Sequence, residues 1–257
     1  MMKKLAKLGI VVLIMAMVCS LAVGCSGKKD TASGDKVYKI ATDTTFAPFE
    51  FQDEKGEFVG IDMDLLKAIA EDQGFEYEIQ VVGFNAAVQS LESNQSDGVI
   101  AGMSITDERK EKFDFSTPYF DSGVILAVKS DSTIEKLEDL KGQKVAVKTG
   151  TEGFDYASSI KDKYGFELTV LEDSANMYED VKAGNSVACC EDYPVIGYAI
   201  TQGQPFKTIG EKSKGSSYGF AVSKGQNAEL LSMFNAGLEN LKKSGKYDDI
   251  LAKYIAE

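Results

Sequence analysis

The sequence predicts an α/β protein built on largely parallel sheets. From Val37 onward, short apolar runs alternate with amphipathic segments of helical period. Strands that alternate with helices pair in parallel through those helical crossovers. No internal repeat stands out beyond this alternation, and no low-complexity segment beyond one polar stretch near the amino terminus.

Val37 to Ala41 reads as the first strand. Ile61 to Gln73 reads as a helix: Ile61, Leu65, Leu66, Ile69 and Ala70 share one face, and Gly74 supplies the stop. Glu76–Val82 is strand-like, Asn85–Glu92 helical and Gly98–Ala101 a short buried strand. Further strands are expected at Val124–Val128, Lys144–Val147, Glu167–Leu171 and Ser186–Cys190. Helices are expected between them, at Thr133–Leu140, Gly153–Tyr164 and Ala175–Ala183. Two apolar stripes end the chain, Leu230, Leu231, Phe234, Leu238 and Leu241, then Ile250, Leu251, Tyr254 and Ile255. In such sheets ligands sit beyond the carboxyl ends of the strands.

Composition narrows the chemistry. With 257 residues, 44% apolar and 26% charged, the chain is that of an ordinary globular protein large enough for sizeable cores. The 28 Lys+Arg against 40 Asp+Glu give −12, and three lysines without an acid in the first 24 residues leave −15 on the rest. That acidity argues against nucleic acid as a partner. The absence of His removes Ser-His-Asp and Cys-His pairs and His-ligated metals. No cofactor and no metal are expected.

The amino terminus reads as an address. Lys3, Lys4 and Lys7 precede an uncharged run from Leu8 to Gly24, a basic region followed by an apolar one, as in secretory signals. The run is short for a spanning helix, which needs about 20 apolar residues. It ends in Leu21-Ala22-Val23-Gly24-Cys25, which resembles the lipobox of bacterial lipoproteins, although the strict pattern prefers a branched apolar residue where Ala22 stands. The resemblance implies a signal over 1–24, a lipidated Cys25 and a tether over 25–36. Its ten polar residues from Ser26 to Asp35 reach roughly 17 Å as a flexible coil. Two or more acyl chains would hold it at the bilayer, each buried methylene contributing about 0.8 kcal/mol. Cys189 and Cys190 are neighbours, which bridge only through a strained ring, so they read as small apolar side chains on a buried strand.

Four stretches carry the functional signal: Ala41-Thr-Asp-Thr-Thr-Phe-Ala-Pro-Phe-Glu-Phe51, Gly60-Ile-Asp-Met-Asp-Leu65, Gly102-Met-Ser-Ile-Thr-Asp-Glu-Arg-Lys110 and Val145-Ala-Val-Lys-Thr-Gly-Thr151. In that order, with Glu191-Asp-Tyr-Pro194 downstream, the chain resembles the polar amino-acid family of periplasmic solute-binding proteins, which serve ATP-driven importers. The glutamine-binding members are the nearest. The resemblance runs from Val37 to the carboxyl terminus. It implies a two-lobe periplasmic-binding-protein fold of type II with two hinge strands. By analogy lobe 1 is 37–117 with 221–257, lobe 2 is 123–215, and the hinges are 118–122 and 216–220. Ser216-Ser217-Tyr218-Gly219 is small and flexible by composition, and Pro118 breaks a pattern.

A free amino acid is a zwitterion, so its site needs a cation for the carboxylate and an anion for the ammonium. Arg109 offers a planar fork that grips a carboxylate through two parallel hydrogen bonds. Taken alone it is a solvated arginine behind a Thr106 cap; the resemblance reverses that. Ser104 and the backbone at Gly102 are implied to complete the contacts, and Asp192 to receive the ammonium, although Asp before Tyr193-Pro194 is equally a helix cap. Phe46 and Phe84 match positions whose rings cover the ligand, whereas Phe49 and Phe51 read as core.

The resemblance assigns selectivity to Asp43, Lys148 and the neighbourhood of Thr151. Glu191 stands where glutamine binders carry histidine. Facing the pocket, its charge would favour lysine or arginine; paired with Lys148, it would leave glutamine favoured. A lone charge is costly in a closed cleft, which favours pairing.

The expected protein is therefore an extracytoplasmic, lipid-anchored monomer that binds a free polar L-amino acid, glutamine first, for the membrane permease of an importer. It contacts the bilayer through acylated Cys25. The alternatives are a lysine- or arginine-binding protein, and an amino-acid dehydratase on the same scaffold with Glu191 and Lys148 as its acid–base pair.

Overall fold

The computed structural model describes residues 36–213 and 215–255. The expected signal, Cys25 and the polar stretch to residue 35 lie outside the described residues. Strand β1 (Val37–Thr42) opens the fold. The small antiparallel pair β2 (Phe51–Gln52) and β3 (Phe58–Val59) follows. Helix α1 (Ile61–Gln73) matches the expected helix end to end. Its fully buried Leu65, Leu66 and Ile69 contribute roughly 1.5–3 kcal/mol each. Asp62 and Asp64 complement the dipole in its first turn, and left-handed Gly74 (φ 71°) donates its N–H to the Ala70 carbonyl and ends it.

The chain continues through β4 (Glu76–Val81), α2 (Phe84–Glu92), β5 (Gly98–Val99), α3 (Asp107–Lys112) and β6 (Phe113–Phe115). It leaves this region at β7 (Phe120–Asp121) and enters β8 (Val124–Lys129), β9 (Lys144–Lys148), α4 (Glu152–Tyr164) and β10 (Glu167–Leu171). Next come α5 (Ser174–Ala183), β11 (Ala188–Asp192), α6 (Tyr193–Thr201) and β12 (Phe206–Ile209). It returns through β13 (Ser217–Tyr218) to β14 (Ala221–Ser223), α7 (Ala228–Ser244) and α8 (Lys246–Ala252). Leu230, Phe234, Leu238 and Leu241 of α7 are buried, as their stripe requires, in a core shared with α1. No helix among the described residues is long and apolar enough to cross a membrane.

The strands form two five-stranded sheets, in the orders β4-β1-β5-β14-β6 and β10-β9-β11-β8-β12. β7 and β13 pair antiparallel where the chain passes between them, with Tyr218 opposite Phe120. The sheets are mixed, which corrects the expectation of largely parallel pairing. β4, β1 and β5 run parallel, as do β10, β9 and β11, but β14 and β8 lie antiparallel to their neighbours. The chain enters those two strands straight from the passing ribbon, without a helical crossover, so nothing forces a parallel direction.

Three other expectations are corrected. Thr133–Leu140 holds only one 3-10 turn, Leu137–Leu140. The Asp139 carboxylate takes the N–H groups of Glu135 and Lys136, and the Ser132 hydroxyl takes that of Ile134, so side chains compete for the donors of a longer helix. Phe51 is only half-buried, between the rings of Tyr198 and Tyr254, while Phe49 is core. Tyr218 is fully buried against Phe46, Phe49 and Phe120 rather than in a flexible stretch, because those rings supply an apolar seat at the passage. Cys189 and Cys190 are buried free thiols on β11, as expected.

Candidate functional site

Parallel strands end on one edge of a sheet, and both sheets turn that edge toward one cleft. Asp43 follows β1, Gly102 and Ser104 follow β5, Lys148 ends β9, and Glu191 and Asp192 end β11. The atom-free space between these walls, counted out into open solvent at the mouth, is about 270 Å³. Phe46, Phe84, Gly102, Ser104 and Arg109 line it from the first sheet's side; Lys148, Thr151, Glu191 and Asp192 line it from the second's. Asp43 stands behind this lining.

Lys148 and Asp43 are both fully buried, and the ammonium donates to Asp43 Oδ2 across the cleft. Asp43 Oδ1 accepts the N–H groups of Thr44 at 2.7 Å and Phe84 at 3.1 Å. The Lys148 ammonium lies 4.9 Å from the Phe46 ring centre and 5.6 Å from that of Phe84. Burial acts to discharge this lysine, but Asp43, and beyond it Glu191, outweigh burial and raise its pKa. Phe46 and Phe84 are buried, with their rings in the cleft wall.

Arg109 sits in the first turn of α3, where the Thr106 hydroxyl accepts its N–H at 3.2 Å. Its guanidinium donates to the carbonyl of Ser104 at 2.9 Å and, across the cleft, to that of Gly150 at 3.0 Å. The group lies 5.3 Å from the Phe84 ring centre. Desolvation lowers its pKa against the pull of Asp192, Asp155, Glu152 and Glu108, so it remains a cation.

Glu191 corrects an expectation. The lysine that was to neutralise it is held by Asp43, and Glu191 instead accepts from the Tyr178 hydroxyl at 3.3 Å and the Asp192 N–H at 2.9 Å. Asp43 wins because its other oxygen is already anchored by two backbone donors that fix it against Lys148. Asp192 Oδ2 accepts from the Tyr218 hydroxyl, which in turn accepts from Ser122 Oγ at 3.0 Å. Its side chain does not cap α6, although the helix begins at Tyr193; the carboxylate is drawn to Tyr218. Burial raises the pKa of both acids, and Glu191 raises that of Asp192 further.

Gly102 has φ +51°, and a Cβ there would lie 2.4 Å from the Phe46 ring, so only glycine fits the turn. Its N–H donates to Asp62 Oδ2 at 2.8 Å. Ser104 bridges to Tyr218. The Thr151 hydroxyl donates to the Lys148 carbonyl at 2.8 Å and accepts the Phe154 N–H at 3.2 Å, closing the turn that starts α4. Sequence reasoning missed Ala101 and Glu152, which also line the cleft. It also missed Tyr178 and Tyr218, which hold the two acids. Glu152 gives no warning, since an acid in a helix's first turn is what the dipole favours anyway.

Residues 38–257 match the model of the bacterial extracellular solute-binding proteins, family 3. The glutamine-binding protein GlnH of an ABC transporter of Bacillus subtilis is 34% identical, over 100% of this chain and 98% of its own. Substrate-binding domain 2 of Lactococcus lactis GlnP, in an open conformation, is 45% identical over 91% of this chain and 99% of that one, with a TM-score of 0.61. An ancestral arginine-binding protein, solved with glutamine and with arginine, is 38% identical over 86% of this chain and 98% of that one, with a TM-score of 0.79.

Proposed function

The chain belongs to family 3 of the bacterial extracellular solute-binding proteins, and from that premise we propose that it captures a free polar L-amino acid, L-glutamine first, for the membrane permease of an ATP-driven importer. One observation carries the reading: Arg109 and Asp192, brought by different sheets, line the same small cleft. The guanidinium has five N–H donors and gives two bonds to the carbonyls of Ser104 and Gly150, which leaves donors for the α-carboxylate. The Asp192 carboxylate takes the ammonium, and the Phe46 and Phe84 rings cover the aliphatic carbons. The amide of glutamine inserts between Asp43 and Lys148, accepting from the ammonium and donating to the carboxylate. The greater likeness to the glutamine- and arginine-bound relative than to the more identical open one supports a closed arrangement of the two sheets.

In this reading 37–117 with 221–257 is one lobe and 123–215 the other. Segments 118–122 and 216–220 are the hinges, and lipidated Cys25 tethers the monomer to the extracytoplasmic face of the membrane. Mass spectrometry of the membrane-extracted protein tests the anchor by the acyl mass on Cys25.

Glu191 supports a second reading. Its carboxylate makes no ion pair with Lys148, which is bonded to Asp43, so a lysine or arginine side chain would find an acid there. The dehydratase alternative has no such support, because its acid–base pair is not joined: Lys148 is held as a cation by Asp43.

Calorimetry of the full-length protein, unfolded and refolded to strip bound ligand, tests the proposal against every common amino acid. Micromolar binding, about −8.2 kcal/mol, to L-glutamine is expected. Heat from none of them would end the proposal; a clear preference for arginine or lysine would select the second reading.

A further inference from the structure

Behind the ligand-facing turn lies a second pair of acids that the proposed clasp does not use. Glu50 and Asp62 are both fully buried, and their carboxyl groups meet. Asp62 Oδ2 is well supplied, accepting the Gly102 N–H at 2.8 Å and the Tyr119 hydroxyl at 2.8 Å. Asp62 Oδ1 and both oxygens of Glu50 find no donor N–H or O–H around them. Three buried carboxyl oxygens without a donor are costly. Two ionised carboxylates in contact away from water would be costlier still.

A single proton satisfies two of the three oxygens and removes one of the two charges. If Glu50 keeps its proton, its O–H donates to Asp62 Oδ1, and one buried negative charge remains instead of two. Asp62 then stays an acceptor for Gly102 and Tyr119. The other charged groups facing Glu50 are Asp43 and Lys148, and these are engaged with each other. Lys148 is therefore not free to neutralise Glu50.

We propose that Glu50 and Asp62 share one proton and act together as positioning residues, fixing Gly102, and with it the Gly102–Ser104 edge of the amino-acid site, to the passage between the sheets. The link to the passage is physical. Tyr119 directly precedes β7, and its own N–H donates to the Tyr218 carbonyl at 2.9 Å. Tyr218 in turn holds Asp192. The turn that meets the ligand and the strands that join the sheets are thus fastened to the same pair of acids. Burial supports the proton's retention, raising Asp62 to about 6 and Glu50 well above the ordinary carboxylate range, with Asp62 and Asp43 adding to the rise at Glu50.

The positioning role rests on the amino-acid reading, whereas the proton pair does not, and the experiment separates them. Full-length protein labelled with ¹³C at its glutamate carboxyls is titrated by NMR without ligand, as wild type and as Glu50→Gln. One wild-type carboxyl is expected to remain protonated at pH 7 and to be missing from the variant. Exchange of the Gly102 amide is expected to be at least tenfold faster in Asp62→Ala, with exchange at Val145 in the other sheet unchanged. Affinity for L-glutamine and L-arginine is then followed with pH. The wild type is expected to weaken on the alkaline side as the pair loses its proton, and Glu50→Gln to lack that fall. Glutamate carboxyls that all titrate in the ordinary acid range, or superimposable alkaline profiles for the two proteins, would overturn the inference. A retained proton in a wild type that binds neither amino acid would sink the transport reading and leave the pair standing.

Discussion

Asp43 and Lys148, 105 residues apart in the chain and carried by different sheets, form a buried ion pair across the cleft. Each sits just beyond, or at, the end of a strand, so the contact exists only while the two edges face each other closely. A fully buried pair contributes little net stability, but breaking it from one side costs about 3–5 kcal/mol if the survivor stays buried.

Lys148→Met is therefore expected to open the cleft rather than unfold the protein, since opening returns Asp43 to water. Small-angle scattering of the ligand-free variant should give a larger radius of gyration than the wild type, with a similar thermal midpoint. An unchanged scattering curve with a depressed midpoint would show that the pair acts on folding instead.

Arg109→Ala is expected to remove amino-acid binding without altering the circular-dichroism spectrum. Two hydrogen bonds from a charged fork contribute about 3–6 kcal/mol together, more than a hundredfold in Kd. Arg109→Lys keeps the charge but loses the fork, so calorimetry should place it between the alanine variant and the wild type.

Glu191→Gln removes the carboxylate that Lys148 does not bond while keeping an acceptor for the Tyr178 hydroxyl. The ratio of L-arginine to L-glutamine affinity is expected to fall at least tenfold, read by competition calorimetry. An unmoved ratio would mean that Glu191 serves only to anchor Tyr178.

Binding should expel a proton. Burial and Glu191 raise the Asp192 pKa in the ligand-free protein, and a ligand ammonium favours the ionised form, which lowers it again. Below the raised value the affinity should climb with pH, by at most about tenfold per unit for one proton, before the alkaline fall expected from the Glu50–Asp62 pair. Calorimetry in two buffers of different ionisation heat reads the proton directly. The sign for stability follows from the same shift: a raised carboxyl pKa stabilises the ligand-free fold fully below the ordinary value and loses that contribution as pH rises through the raised one. Ligand should therefore raise the thermal midpoint more at pH 8 than at pH 5.

Much of this architecture is written locally. The apolar face of Ile61–Gln73 and the stop at Gly74 define α1 within one stretch of chain, and so does the stripe from Leu230 to Leu241 in α7. The motif stretches, the downstream Glu191-Asp192 and the matched position of Phe84 likewise put Phe46, Phe84, Gly102, Ser104, Arg109, Lys148, Thr151, Glu191 and Asp192 on one cleft wall or another. Periodicity, caps and motif order depend on neighbours a few residues away, and a sequence displays those neighbours.

Partners depend on how distant segments meet, and only the tertiary structure decided them. It gave Lys148 to Asp43 rather than Glu191, turned the Asp192 carboxylate from its helix to Tyr218, and set Glu50 against Asp62 beneath Gly102. It also ran β8 and β14 antiparallel to their neighbours, since strand direction follows the route of the chain and not the pattern within the strand. A buried charge takes whichever counter-group the packing brings within reach, and packing is a property of the assembled sheets.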